Sequence, residues 1–242
     1  QTCALPISFA GQIFCDFAGY STAAIGTAAL FGFWLPDNFR SPYAATGFSD
    51  FWRRWHISLS SWLRDYLYIP LGGNRGGRLF TLRNLWLTMV LGGLWHGAAW
   101  TFVAWGGFHG LMLALERLVQ PVTRCVGAVL GGLGRLLGGL LTLFAVVLAW
   151  VWFRAQDFSQ AAHLHRQMLA PSVGELGLSV EAQLAVLMFG LLWLAHWLTR
   201  GLALRQWLQG RGVLSLGVLW SLLIVLIVLS PGTSRAFIYF QF

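Results

Sequence analysis

Long apolar runs alternate with short polar connections along this chain of 242 residues. Runs that approach or exceed the length of a membrane crossing cover residues 7–35, 85–105, 126–153, 182–198 and 213–229. About 20 helical residues, each rising about 1.5 Å, cross a hydrocarbon core of about 30 Å. A shorter apolar piece, residues 108–119, follows Gly106-Gly107, where we expect the helix to break or kink. The pattern predicts five or six transmembrane helices.

Residues 40–83 carry a different pattern, in which arginines and aromatic residues interrupt the apolar positions. This segment holds seven arginines and includes FWRRWHISLSSWLRDYLYIPL, which is amphipathic but too charged to span a bilayer. We expect it to lie in the membrane interface or to re-enter the protein, with Trp and Tyr side chains at headgroup depth. The glycine-rich LGGNRGG after Pro70 lacks the spacing and the lysine of a phosphate-binding loop. A tight turn that exposes Arg75 is the simpler interpretation, and anion binding stays open.

Composition strengthens the membrane interpretation. Hydrophobic residues make up 57% of the chain and charged residues 10%, whereas a soluble domain has about 25% charged residues. Too few polar side chains are present to cover a water-soluble globule of this size. The sequence therefore predicts an all-α integral membrane protein, a bundle of about five to six transmembrane helices with additional amphipathic or re-entrant helices.

The net charge of +8 comes entirely from arginines, because the chain has no lysine. A basic chain suggests nucleic-acid binding, but these arginines lie in the connections between apolar runs, where basic residues orient membrane proteins. Connections 37–83, 117–135 and 200–211 hold seven, three and three arginines and are assigned to the cytoplasm. The three cysteines lie far apart without a CxxC pair, so we predict neither a disulfide framework nor a metal site.

His96 lies near the middle of the apolar stretch 84–110, where an ionisable group is costly and often functional. Gly92, Gly93 and Gly97 leave room for a substrate beside its ring. A neutral imidazole is suited to take a proton from a hydroxyl as that hydroxyl attacks an acyl carbon. The alternative is a structural histidine that is bonded to a helix carbonyl. The chain has no GxSxG motif, which argues against a hydrolase of that type.

The remaining histidines differ in their sequence context. His56 lies in WRRWHISLS, 40 residues before His96, and a re-entrant segment would be able to bring the two together. His109 lies about 20 Å beyond His96 along an ideal helix, and we expect it to be an interfacial or supporting group. Three further histidines are expected in solvated loop or interfacial positions: His163, His165 and His196.

Two motifs are specific enough together to indicate a family. DFWRRWHISLSSWLRDYLYIPLGGNR followed by LGGLWHGAAWTFVAWGGFHG resembles the membrane-bound O-acyltransferase (MBOAT) family, and in particular its alginate and polysaccharide O-acetyltransferase branch. CDFAGYSTAAIG, VWFRAQDFSQA and the terminal FIYFQF also match. The resemblance covers about residues 8–242 and implies that residues 1–242 are a single membrane domain, the carboxy-terminal part of a fold with a central tunnel. Residues 1–7 resemble translated sequencing-adapter sequence.

The resemblance implies a role for both histidines of these motifs. His96 would be the catalytic histidine, set in a tunnel between a cytoplasmic acyl donor and an acceptor on the far side, and His56 matches the second polar position. Thr22 stands where the family usually has an acid after GYS, so no role for that acid is carried over. The PLGGNR loop favours the polysaccharide branch. Ten residues of the two motifs are assigned to substrate binding: Arg53, Arg54, Trp55, Ser58, Arg64, Asp65, Asn74, Arg75, Trp95 and Trp100.

The leading hypothesis is O-acetyl transfer to an exopolysaccharide such as alginate by a multi-pass protein of the bacterial inner membrane. The expected donor is acetyl-CoA or a similar acyl thioester. The four arginines among the assigned residues would attract its phosphates electrostatically. No permanently bound cofactor, no metal and no nucleic acid are expected. The resemblance implies a periplasmic acetyltransferase partner, a polysaccharide acceptor and contact with membrane lipid. The alternatives are a non-catalytic transporter or export subunit, a D-alanyl transferase of teichoic acids, and a fragment that is inactive alone.

Overall fold

The computed structural model describes residues 4–169 and 179–202, together with scattered positions from 212 to 225. Within these residues the regular elements are helices, and no strand occurs. The helices with described bounds are α1 Ala4–Leu30, α2 Phe48–Trp52, α3 Ile57–Leu63, α4 Gly77–His96, α5 Trp100–Arg154, α6 Phe158–Leu169 and α7 Val180–Leu198. A 3₁₀ turn at Pro42–Ala44 precedes α2, and a π-helical turn at Arg64–Tyr68 extends α3. The all-α prediction is confirmed for this part of the chain.

Two of the described helical stretches are long and apolar enough to cross a membrane. They are Pro6–Leu30 in α1 and Val129–Arg154 in α5, and Ala182–Leu198 in α7 is a shorter apolar helix. These positions agree with three of the predicted runs. The predicted run 213–229 lies largely outside the described residues, and the total of five or six spans stays a prediction.

The break expected at Gly106-Gly107 lies elsewhere. Helix α4 ends at His96, and α5 begins at Trp100 and continues through both glycines. The chain leaves the helical conformation at Gly97, whose backbone is extended (φ 173°, ψ 157°). The predicted run 85–105 is therefore divided between two helices. The described non-helical residue within α5 is Gly131, with φ 52° and ψ −118°, and the predicted connection 117–135 is otherwise part of this helix.

Gly106 has a packing role that explains why it does not break α5. A Cβ atom at Gly106 would collide with the carbonyl oxygen of Met89 on α4, and one at Gly110 would lie 2.8 Å from the Cα of Trp86. A Cβ at Gly93 on α4 would collide in turn with the carbonyl oxygen of Phe102. These glycines allow the backbones of α4 and α5 to approach as in small-residue helix interfaces. The close approach positions the end of α4 beside the start of α5.

The arginine- and tryptophan-rich segment re-enters the protein as several short helices. Phe48, Phe51 and Trp55 are buried and belong to the main hydrophobic core. Trp62 and Tyr66 are exposed on the following turns and pack against each other, with ring centroids 5.5 Å apart. The first half of the segment therefore enters the core, as one of the two expected arrangements predicted, and the headgroup depth of its aromatic side chains stays a prediction. Hydrophobic burial of these rings draws His56, which follows Trp55, toward the core.

Candidate active site

His56 precedes α3 in a backbone conformation that is uncommon for a residue with a side chain. Its φ of 43° and ψ of 56° lie in the left-handed region, where a non-glycine residue costs about 1–3 kcal/mol. Two contacts hold it there. The N–H of Ile57 donates to the carbonyl of Asn38 at 3.0 Å, and the Phe17 ring lies edge-on to the imidazole at a centroid distance of 4.6 Å. Backbone strain of this kind is concentrated at functional sites.

Asn38 and Ser58 surround one ring nitrogen of His56. The Oδ1 atom of Asn38 accepts hydrogen bonds from the backbone N–H of Ser58 at 3.1 Å and from the Ser58 hydroxyl at 2.7 Å. Nδ1 of His56 lies 3.4 Å from that Oδ1 and 3.4 Å from Ser58 Oγ. The side-chain amide of Asn38 donates to the Ser21 hydroxyl at 3.2 Å. No sequence signal connects Asn38 with His56, and Asn38 was absent from the predicted site.

His96 is the last residue of α4, at the point where the chain leaves the helix. Its half-buried ring lies edge-on to the rings of Trp95, Trp105 and Phe153, with centroid separations of 5.0 to 5.3 Å. Its nitrogens form no hydrogen bond with the described residues. The alternative of a structural histidine bonded to a helix carbonyl is therefore unsupported in the described part of the chain, and the nitrogens are available for a substrate or for proton transfer.

His56 and His96 lie close enough to interact electrostatically. Burial lowers the pKa of His56 from its usual 6.5 to about 4, and the proximity of His96 contributes to the lowering. His56 is therefore neutral at physiological pH and has a lone pair available on one ring nitrogen. The electrostatic influence of His96 on His56 is consistent with a re-entrant segment that brings the two near each other, and their catalytic roles stay a prediction.

His109 is fully buried, and its expected role as an interfacial or supporting group stays a prediction. It lies 4.8 to 6.0 Å, between ring centroids, from five aromatic residues: Phe48, Phe51, Trp52, Trp105 and Phe108. Neither of its ring nitrogens has a hydrogen-bond partner among the described residues. Trp105 contacts the rings of both His109 and His96, at 4.8 and 5.3 Å. Because residues 97–99 break the helix and α5 packs against α4, one indole ring connects the two histidines.

Asp50 centres an ion network that joins α2 to the end of α7. It accepts hydrogen bonds from Arg54 Nε and Arg200 Nη2, both at 2.8 Å. Burial alone would raise the pKa of Asp50, but hydrogen bonds from Arg54 and from the Thr46 N–H, together with the charges of Arg54 and Arg200, lower it. Arg54 is therefore engaged within the protein. Arg53 lies 3.7 Å from Asp50 with its side chain 69% exposed, and it remains accessible.

The other polar residues assigned to substrate binding lie on the exposed part of the segment. Arg64 donates from Nε and Nη2 to the adjacent Asp65 at 2.7 and 3.1 Å. The Tyr68 hydroxyl donates to Asn74 Oδ1, and Arg75 is exposed. The described contacts do not connect these residues with His56 or His96.

The buried side-chain amide of Asn84 binds the backbone of the glycine-rich loop. Nδ2 of Asn84, which is 1% exposed, donates to the carbonyls of Leu71 and Gly73, both at 3.1 Å, and its Oδ1 accepts from Arg83. Gly72 and Gly73 have φ of 105° and 53°, which favours glycine at both positions. The geometry is that of a tight turn, as the simpler interpretation of the sequence predicted.

The three tryptophans assigned to substrate binding have opposite environments. Trp55 is buried and stacks on Phe51 at a centroid distance of 5.7 Å. Trp95 and Trp100 are 63% and 76% exposed and flank the helix break on either side of His96. Trp55 thus supports the core beneath His56, whereas Trp95 and Trp100 present indole rings at the surface beside His96.

Three histidines outside the motifs lie on helices α6 and α7. His163 and His165 lie on α6 and not in a loop, and His165 has Nδ1 2.8 Å from the Ala161 carbonyl. His196 is 7% exposed, and its Nδ1 accepts a hydrogen bond from the N–H of Tyr43 at 3.3 Å. The expected interfacial depth of His196 stays a prediction. Among the described residues no group of three or more potential metal ligands occurs.

Comparisons with known proteins identify one family for this chain. Residues 2–130 match the family model of MBOAT, the membrane-bound O-acyltransferase family. The chain is 43% identical over 202 residues to the probable alginate O-acetylase AlgI of Pseudomonas aeruginosa, covering 83% of this chain and 37% of that protein. It is 45% identical over 163 residues to the peptidoglycan O-acetyltransferase of Helicobacter pylori, covering 67% and 30%. It is 37% identical over 112 residues to the teichoic acid D-alanyltransferase of Streptococcus thermophilus, covering 43% and 27%.

Proposed function

Because this chain belongs to the MBOAT, membrane-bound O-acyltransferase family, we propose that it carries the catalytic histidines of a membrane O-acetyltransferase. The enzyme would pass an acetyl group from a cytoplasmic donor across the inner membrane for O-acetylation of an exopolysaccharide such as alginate. The observation that carries the proposal is the position of His96 at the break between α4 and α5, where aromatic rings surround its imidazole and no described residue bonds its nitrogens. The chain spans 37% of the length of its Pseudomonas aeruginosa relative, so the activity is that of the whole protein.

The proposed step is attack of an acceptor hydroxyl on the carbonyl carbon of an acetyl thioester. His96 takes the hydroxyl proton as the new carbon–oxygen bond forms, and the carbon–sulfur bond of the thioester then breaks. The imidazolium returns its proton to the departing sulfur, which leaves as a thiol. A neutral imidazole is required at the start. The lack of a hydrogen bond between the His96 nitrogens and the described residues supports this role.

Acetyl-CoA or a similar thioester is the proposed donor. The exposed guanidinium groups of Arg53, Arg64 and Arg75 would attract its phosphates, since positive charge near an entrance raises the local concentration of an anionic substrate. Arg54 is engaged with Asp50 and is assigned to holding the segment rather than to meeting phosphates. The acceptor is either the polysaccharide or a periplasmic acetyltransferase partner that completes the transfer.

The test is His96→Ala in the complete membrane protein, with polymer acetylation measured in cells that produce normal amounts of the variant. We expect acetylation to fall by about 10²- to 10⁴-fold, the usual contribution of a general base. His163→Ala is the matched control, because this histidine is exposed on α6 and its loss should leave acetylation unchanged. Wild-type acetylation in the His96 variant would contradict the proposal.

Two alternatives predict different outcomes. A non-catalytic transporter or export subunit would form no ester, so purified protein with labelled acetyl-CoA and an acceptor separates it from an enzyme. A D-alanyl transferase is favoured by the similarity to the Streptococcus thermophilus protein, but that similarity covers 43% of the chain against 83% for the alginate relative. A donor competition with acetyl and D-alanyl thioesters distinguishes the two acyl groups.

A further inference from the structure

The orientation of the Asn38 side chain follows from its hydrogen bonds. The backbone N–H of Ser58 donates to one terminal atom of the Asn38 amide at 3.1 Å, and a backbone N–H requires an acceptor. That atom is therefore the oxygen, and the amide nitrogen faces the Ser21 hydroxyl at 3.2 Å. Ser58 is the second residue of α3, so Asn38 also satisfies an N–H that no residue of the helix can pair.

The same contacts assign the proton on His56. Both neighbours of its Nδ1 atom act as acceptors there: the Asn38 oxygen at 3.4 Å, and Ser58 Oγ at 3.4 Å, whose proton already goes to Asn38. An unprotonated Nδ1 would face two oxygen lone pairs, so the favoured tautomer has the proton on Nδ1. Nε2 then carries the lone pair. Nε2 forms no hydrogen bond with the described residues.

We propose that Asn38 is a positioning residue that fixes the tautomer and the ring orientation of His56, so that Nε2 is the atom of His56 that carries the lone pair and is able to accept a proton. The 3.4 Å contact is long for a hydrogen bond in the resting state. It would shorten when His56 accepts a proton, because a cationic ring donates more strongly from Nδ1. This role rests on the proposed acyl transfer, in which His56 is the second histidine of the site.

The surroundings of His56 make an engineered charge at position 38 easy to detect. Among the described residues, His96 is the titratable group that acts electrostatically on His56, and the neighbours that contact His56, Phe17, Asn38 and Ser58, are uncharged. A carboxylate in place of the Asn38 amide keeps the two acceptor contacts with Ser58, and the Ser21 hydroxyl is able to turn and donate to it. Asn38→Asp therefore adds one negative charge beside Nδ1 with little change in shape.

The test uses the complete protein and measures the protonation of His56 directly. Diethyl pyrocarbonate modifies neutral imidazole, so modification of the peptide containing His56, followed by mass spectrometry against pH, gives its pKa without any need for activity. We expect Asn38→Asp to raise the midpoint by about one pH unit or more, since a nearby carboxylate favours the imidazolium. In the acetylation assay the acid limb of the rate–pH profile should move upward by the same amount.

Asn38→Ala and Asp37→Asn complete the experiment. Asn38→Ala removes the acceptor, and we expect acetylation to fall about 10- to 100-fold, the effect seen when the partner that orients a metal-bound histidine is lost. Asp37→Asn changes the neighbouring charge by one unit at an exposed carboxylate and should move neither midpoint nor acid limb. An unchanged His56 midpoint in Asn38→Asp would overturn the positioning role, even if His96→Ala abolishes acetylation. A shifted midpoint in a protein without transferase activity would uphold the contact and count against the proposed function instead.

Discussion

At the scale of single residues, hydrophobic packing does not explain why a polar side chain, His109, is fully buried. A neutral imidazole brings one donor and one acceptor into a ring of aromatic side chains, and neither has a partner among the described residues. An unpaired buried polar group costs about 1–3 kcal/mol. His109→Phe removes that cost and keeps an aromatic ring at the position. We expect the free energy of unfolding to rise by about 1 kcal/mol, seen as a higher melting temperature of the purified protein.

His196 provides a matched control of opposite sign. It is also buried among aromatic rings, with Phe14 at 4.6 Å and Tyr43 at 5.6 Å, but its Nδ1 accepts a hydrogen bond from the Tyr43 N–H. His196→Phe leaves the Tyr43 N–H unpaired, so we expect the melting temperature of this variant to fall. If the melting temperatures of both variants fall, the imidazole of His109 has a buried partner and the prediction is wrong. If His109→Phe is more stable but acetylates less, the polar ring serves the reaction.

At the scale of helices, the contact between α4 and α5 depends on which glycine is replaced. In Gly106→Ala the new methyl group would collide with the Met89 carbonyl, and overpacking of this kind costs about 1–3 kcal/mol. In Gly107→Ala it would lie 3.8 Å from Trp86 Nε1 and from Val90 Cγ2, an ordinary contact. That variant should be unchanged or gain up to about 1 kcal/mol from helix propensity. Melting temperatures of the two variants, measured side by side, check the prediction. Equal effects would indicate a hinge at this glycine pair instead of close packing.

The same helices show how far the sequence pattern reaches. Apolar runs located α1, α7 and the second half of α5, because a long run of apolar residues is itself the signal for a membrane helix. The pattern of apolar runs misplaced the helix break near His96. A glycine such as Gly106 either interrupts a helix or lets a neighbouring backbone pack closely, and the sequence alone does not distinguish the two. The break at Gly97 carries no stronger local signal. Its position follows from the contact of α4 with α5, which a single run of sequence does not contain.

At the scale of the molecule, the site depends on contacts between distant parts of the chain. The sequence identified His56 and His96 by type and motif, and it predicted that a re-entrant segment would be able to join them. It did not identify Asn38, whose side chain accepts hydrogen bonds from Ser58, 20 positions later, and lies 3.4 Å from Nδ1 of His56. It assigned Arg54 to a substrate, whereas Arg54 is engaged by Asp50 within the protein. Residue type indicates the available chemistry, and tertiary contacts decide which groups remain free for it.

The contact of Asp50 with Arg200, 150 residues away, holds α7 against the segment that carries His56. Asp50→Asn removes the negative charge from two arginines that are largely buried, with side chains 18% and 24% exposed. Loss of one partner from a buried ion pair costs about 3–5 kcal/mol, and we expect about half of that at this partly exposed site. The melting temperature should fall, and proteolysis near α7 should increase. Because the folded-state pKa of Asp50 is lowered, the greater stability of the wild type over this variant should be present at neutral pH and decline as the pH falls through that pKa.

Asp65→Asn is the control for Asp50→Asn, since Asp65 and its partner Arg64 are both exposed. Equal melting temperatures for the two variants would mean that the network does not hold α7 in place.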